Sequence, residues 1–254
     1  MKKIKKNFLE WNNHVLVSSI KKINLNIILI IILDGVFYFL AGFFIQQWFD
    51  RVQAKMSSFV LPQDIVSLGY ESVQELVGEV RAFYYILVFS FILLLTAMIF
   101  LASMLKGIIW AKTTKTKVTF ELISKFVGLN LIWMGFWLVM LFIDFKLVLP
   151  SLVLPFLIGG AIISIYFTNI IYAVFMKKHH ISAIKDGTKI GITKIHLLIL
   201  PYIIIFVILF LLERLFSFVQ FTYSFAVVVV ILLIYAAIVR YYVSTLVYKI
   251  QKSV

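Results

Sequence analysis

The chain has 254 residues, of which 63% are hydrophobic and only 14% charged, and its mean hydropathy is +1.07. A soluble domain is closer to half apolar and a quarter charged, so this composition excludes a soluble globular enzyme, a disordered chain and a fibrous repeat. The 24 basic residues exceed the 11 acidic ones by 13, and there is no Cys to form a disulfide or a thiolate metal site.

Apolar runs long enough to cross ~30 Å of hydrocarbon occur six times. Backbone polar groups find no water in lipid, so each run is predicted to be helical, and the fold class is an all-α polytopic bundle in one membrane domain. The predicted spans are 25–48, 83–105, 128–147, 152–176, 195–215 and 221–248.

Lysines fix the predicted orientation. Most of them fall in 1–24, 106–127 and 177–194 and in the last residues of the chain, whereas the intervening segments hold few. Cytoplasmic loops carry the excess of Lys and Arg, so we expect a multi-pass protein of the cell membrane with both termini in the cytoplasm. This bias explains the net charge without a nucleic acid as partner.

Each basic segment precedes an odd-numbered span and carries apolar residues at helical spacing. We expect basic amphipathic helices here that lie in the membrane surface and bind anionic phospholipid headgroups, with solvated loops as the alternative. Thr119 is a candidate N-cap for the second. The apolar positions are Ile4, Phe8, Trp11 and Val15; Val118, Leu122, Ile123 and Phe126; and Ile181, Ile184, Thr188 and Ile195.

The junctions between basic segments and spans are weakly alike, as in Lys22-Ile-Asn-Leu25-Asn26, Lys125-Phe-Val-Gly-Leu129-Asn130 and Lys194-Ile-His196-Leu197. With the span count and segment order, they suggest three units of surface helix plus helical hairpin. In this plan the chain resembles a broad group of six-span prokaryotic integral membrane proteins. It is also similar to the membrane domain that precedes some glycerophosphodiester phosphodiesterases. The resemblance implies a fold and assigns no functional residue.

The segment 50–82 is the predicted outer loop. It contains an amphipathic stretch in which Glu71, Glu75 and Glu79 share one face, opposite the apolar residues. The glutamates could bind a cation or a partner, but a solvated helix face explains them more simply.

Polar residues inside the spans are the candidate site. Asp34 lies in the first span and Arg240 in the last, at similar depth, and a lone charge at that depth costs about 2.5–3.5 kcal/mol. We therefore predict that the two side chains meet. The cluster is expected to be either a structural tie or part of a solute pathway, and its remaining members fall in the same half: Asn130, Asn169 and His196.

Other features indicate packing rather than chemistry. A patch of Gly159, Gly160, Ala161 and Ser164 predicts close approach of another helix, and Pro201 predicts a kink. His179-His180 is better explained as a solvated pair than as metal ligands. No nucleotide-binding, metalloprotease or serine-hydrolase motif is present, so no catalytic, cofactor or metal residue is predicted.

The sequence favours a non-enzymatic scaffold, accessory or membrane-organising protein that contacts anionic lipid, with another membrane protein or a second copy as a candidate partner. A transporter or channel for a small polar solute is the first alternative. An intramembrane enzyme that modifies lipid, using Asp34 and His196, is the second.

Overall fold

A computed structural model of the chain describes residues 8–58, 70–218 and 224–252. Within these ranges it contains only helices and turns, and six helices are long and apolar enough to cross a membrane: α2, α3, α4, α5, α7 and α8. The predicted all-α, six-span architecture is confirmed. The helices are α1 (Phe8–Ile20), α2 (Asn26–Ser57), α3 (Tyr70–Thr114), α4 (Phe120–Leu147), α5 (Pro150–Lys178), α6 (Ala183–Thr193), α7 (Ile195–Ser217) and α8 (Ser224–Lys252).

The segment 50–82 is mostly helix rather than loop. The helix α2 continues to Ser57, and α3 already begins at Tyr70. With 45 residues, α3 is ~68 Å long at ~1.5 Å per residue, more than twice the hydrocarbon thickness. A helix satisfies its own backbone hydrogen bonds, so it does not have to end where the apolar run ends. Residues 59–69 lie outside the described residues, as do the side chains of Glu71 and Ser72.

Separate helices precede the first and fifth spans, as predicted, but not the third. There, α3 runs on to Thr114 and α4 begins at Phe120, where the backbone N–H of Leu122 donates to the Thr119 hydroxyl at 3.2 Å. The predicted N-cap is thus present on the spanning helix itself. Leu122 and Phe126 are buried in the protein, so this apolar face packs internally instead of lying on the membrane. In the first segment, Ile4 lies outside the described residues.

Two compact units make up the chain. The smaller is Val36–Ala102, where the Trp48 indole N–H donates to the Ser90 hydroxyl at 3.1 Å and joins α2 to α3. Ala41 is the one buried residue among the described side chains of this unit. The other described side chains of this unit are thus at least partly exposed to lipid or water.

The larger unit, Met1–Gly35 with Ser103–Val254, has its core at one end. We call this the lysine-rich end, because the junctions gathered there carry Lys22, Lys115, Lys177 and Lys249. Phe126 lies 4.7 Å from Tyr172 and 5.3 Å from Phe175 between ring centroids, and this contact joins the start of α4 to the last turns of α5.

Glycine-mediated close packing occurs on α6 rather than at the predicted patch. A Cβ atom on Gly187 would lie 2.9 Å from the Ile171 Cα, and one on Gly191 would lie 2.6 Å from the Phe167 ring. Two glycines four residues apart share a helix face and let backbones approach. By contrast, the space beside Gly159 and Gly160 is open to at least 4 Å, so the predicted patch with Ala161 and Ser164 is not a packing surface within this unit.

Candidate functional site

Asp34 forms the centre of a buried ion cluster. The Arg240 guanidinium donates to both carboxylate oxygens, from Nη2 to Oδ1 at 3.0 Å and from Nη1 to Oδ2. The Lys106 ammonium also donates to Oδ1, at 2.6 Å. Asp34 has no exposed surface and the Arg240 side chain is 9% exposed. The structure therefore places the first and last spanning helices in contact through these charges, as the sequence suggested.

Lys106 is the member of this cluster that the sequence did not reveal. The sequence places it in the basic segment 106–127, because the predicted second span ends at 105. The helix α3 in fact continues to Thr114, so Lys106 stays on a spanning helix and its side chain is only 16% exposed. Two cations against one carboxylate leave the cluster with a formal charge of +1.

Asn130 belongs to a second polar contact. Its amide donates to the Ser103 hydroxyl at 3.0 Å, and the Tyr172 hydroxyl donates to its carbonyl at 2.5 Å. All three residues are buried. Ser103 precedes Lys106 by one turn of α3, so this helix contributes to both contacts. The arrangement ties α3, α4 and α5 together without an unpaired amide.

The remaining predicted members are separate from these contacts. Asn169 is half-buried on α5 and hydrogen-bonds the Tyr202 hydroxyl of α7, which also donates to the Tyr166 carbonyl at 3.2 Å. His196 is exposed in the first turn of α7. Pro201 is buried within α7, which continues through it to Ser217, and the predicted kink stays a prediction. The five candidate residues therefore do not form one cluster.

Lysines from three separate segments surround the ring of Tyr248. We call Lys22, Lys177 and Lys252 the lysine cluster; their ammonium nitrogens lie 5.3, 5.6 and 4.7 Å from the ring centroid. Lys22 also donates to the Thr245 hydroxyl at 3.3 Å, and Lys177 donates to the side-chain amide oxygen Oε1 of Gln251 at 3.2 Å. The aromatic face attracts each cation and so holds all three in one small area.

Burial and neighbouring cations set the charge balance of this cluster. Burial, more than the repulsion from Lys115 and Lys252, lowers the pKa of Lys22 below its ordinary value. At the same end of the unit, Asp186 pairs with Lys178 and Glu121 pairs with Lys125, each at 2.6 Å. The lysine cluster is therefore a concentration of positive charge suited to an anion.

The helix α1 is fastened to the same end of the unit. The Lys249 ammonium lies 2.7 Å from the His14 ring nitrogen Nδ1 and donates to the Ser18 hydroxyl at 2.9 Å. Val15 is fully buried against the core. α1 is therefore docked on α8.

Comparison with protein-family models, with curated proteins and with solved structures finds no match to this chain. Within residues 8–58, 70–218 and 224–252, no three His, Cys, Asp or Glu side chains are grouped as metal ligands. The functional argument therefore depends on the geometry alone.

Proposed function

We propose that this chain is a non-enzymatic membrane protein that binds and organises anionic phospholipid at the cytoplasmic face of the cell membrane. The observation that carries the proposal is the lysine cluster, in which three cations from separate segments converge on Tyr248. A phosphate group placed there would neutralise charges that the fold holds close together. Each Lys near an anionic membrane surface contributes about 1 kcal/mol to binding.

The ion cluster supports this function over transport. A solute pathway through the first span would need water or solute to reach Asp34. Its carboxylate is instead fully buried and accepts from both Arg240 and Lys106. A carboxylate held in this way serves to fasten α2, α3 and α8 together.

The geometry gives a lipid-modifying enzyme less support than a lipid-binding protein. Acid–base chemistry with Asp34 and His196 would need both groups at one site. Asp34 is buried in an ion pair, whereas His196 is exposed at the start of α7. These different surroundings do not supply a working acid–base pair.

Binding of lipid to the purified full chain tests the proposal. Native mass spectrometry should show that phosphatidylglycerol binds more tightly than phosphatidylcholine. The triple variant Lys22→Gln/Lys177→Gln/Lys252→Gln should weaken phosphatidylglycerol binding on the order of 100-fold, because about 1 kcal/mol for each lysine sums to about 3 kcal/mol. The matched control is Lys185→Gln/Lys189→Gln/Lys194→Gln around α6, which removes the same charge.

Equal losses in the two triple variants would overturn the proposal, because net charge and not the cluster would then govern binding. Thermal unfolding of both variants without added lipid identifies a loss that comes from misfolding. Orientation is tested separately: a reporter that is active only in the cytoplasm should give signal when fused after Val254. Signal from a fusion within 59–69 instead would contradict the cytoplasmic assignment.

A further inference from the structure

A groove opens between α1, α7 and α8 in the larger unit, with a volume of about 280 Å³. Its α7 wall is formed by Leu200, Ile204 and Ile208, which stand one turn apart on a single helix face. Ile238 is on the α8 wall. The groove therefore follows the spanning helices for at least two turns.

The deeper part of the groove is apolar in its chemistry. Tyr235 contributes a hydroxyl there, but its proton is already donated to the Ile205 carbonyl at 2.5 Å. Ile204 and Ile208 are 45% and 42% exposed, and both lie on a spanning helix, so the groove opens toward hydrocarbon. A linear aliphatic chain is the ligand that matches walls of this kind.

The end nearer the start of α7 is polar. Here α1 contributes Asn12 and Asn13 to the lining, with Leu16 one turn further along α1. Amide groups at one end and aliphatic walls at the other fit a ligand that is itself polar at one end.

We propose that the groove binds one acyl chain of a phospholipid, with the ester region of that lipid at Asn12 and Asn13. The helix α1 covers the polar end, and Lys249 holds it there through His14 and Ser18. This site goes beyond the proposed function, because it recognises the chain and ester of a lipid rather than the charge of its headgroup. Phosphatidylcholine and phosphatidylglycerol are both ligands for it.

A photoactivatable phosphatidylcholine with a diazirine in its acyl chain tests the proposal on the full chain in nanodiscs. Cross-links mapped by mass spectrometry should concentrate in 235–242 of α8 relative to 162–165 of α5, although 162–165 is the more exposed and the more apolar of the two segments. Ile204→Trp should fill the groove and reduce labelling of 235–242 about fivefold or more. Ile163→Trp, at a site that is 51% exposed on α5, should leave that labelling unchanged.

Labelling spread evenly over the exposed faces, or unchanged by Ile204→Trp, would overturn the groove as a binding site. The triple variant of the lysine cluster should retain groove labelling with phosphatidylcholine, and loss of labelling there would overturn the separate site. Thermal unfolding of Ile204→Trp beside Ile163→Trp shows whether a loss of labelling follows from filling the groove or from unfolding. Failure of the lysine cluster to prefer phosphatidylglycerol would leave these outcomes unaffected, so the two proposals fail independently.

Discussion

The two ends of α4, α5, α7 and α8 are both rich in apolar residues but differ in packing. At the lysine-rich end, each helix contributes buried side chains, such as Phe126, Phe175, Leu198 and Leu246. Toward the opposite end, none of the described side chains in 134–147, 150–169, 203–217 or 225–236 is buried.

Hydropathy therefore does not decide which part of a membrane helix becomes interior. Lipid tails are as apolar as leucine, so helices gain little by burying apolar surface against each other. The lysine-rich end holds the ring contacts of Phe126, the Asp34 ion cluster, the Asn130 hydrogen bonds and the α6 glycines. Specific contacts of this kind define the core.

The largest expected effect comes from removing an aromatic side chain from the packed end. Phe126→Ala should lower the free energy of unfolding by about 3–5 kcal/mol, because it empties a fully buried site between Tyr172 and Phe175. Phe210→Ala removes the same group from a position that is 55% exposed, where lipid refills the space, and should change stability by less than about 0.5 kcal/mol. Thermal and denaturant unfolding in one detergent compare them; equal losses would contradict the contrast between the ends.

Removing the carboxylate charge from the ion cluster should cost nearly as much. Asp34→Asn leaves Arg240 and Lys106 close together without their anion, and we expect a loss of about 2.5–3.5 kcal/mol. Asp50→Asn, at an exposed carboxylate of α2, is the matched control and should be near neutral.

Arg240→Gln sharpens this test, because Lys106 still neutralises Asp34 after Arg240 is removed. The single variant should therefore be less damaging than Asp34→Asn, measured by the same unfolding assay. If Arg240→Gln proved the more destabilising of the two, Lys106 would not be an effective partner for Asp34.

A single methyl group on α6 should have an intermediate effect. In Gly187→Ala the new Cβ atom would lie 2.9 Å from the Ile171 Cα, so α5 and α6 have to separate, and we expect a loss of about 1–3 kcal/mol. Gly159→Ala adds the same methyl group in open space and should be neutral or slightly stabilising. Thermal unfolding of the two variants measures the difference, and a neutral Gly187→Ala would show that the helices are not in close contact.

The smallest expected effect is a pH dependence at Lys22. Its pKa is lowered by burial, so the folded state holds this proton less tightly than the unfolded state does. Raising the pH through this lowered pKa removes the cost of a partly desolvated charge, so folding stability should rise slightly while phosphatidylglycerol binding weakens. When phosphatidylglycerol binding is measured from about pH 8 to about pH 10, it should weaken at a lower pH for the natural chain than for Lys22→Arg, because arginine stays charged. Identical curves would contradict a role for Lys22 in the lysine cluster.

The spans were predictable because the length of an apolar run is a direct physical requirement of the bilayer. The pairing of Asp34 with Arg240 was predictable because an aspartate is too short to reach water from that depth. The extent of α3 could not be predicted from hydropathy, because a helix can continue beyond the apolar run that crosses the membrane. The role of Lys106 was missed for this reason, since it lies just after the predicted end of the second span. The spacing of four residues between Gly187 and Gly191 indicates a glycine face on one side of a helix. These glycines lie on a polar segment, however, where the sequence predicts no close helix packing.

The position of Asp34 also has a consequence for the order of synthesis. Asp34 lies on the first of the six spanning helices and Arg240 on the last, with about 200 residues between them. When the first helix leaves the ribosome and enters the bilayer, its strongest partner has not been translated. Lys106, on the second spanning helix, is the earlier of its two cationic partners and can neutralise the carboxylate meanwhile. The nascent chain thus completes its ion cluster only when α8 is inserted. The contact between the first and last spanning helices is therefore added at the end of synthesis.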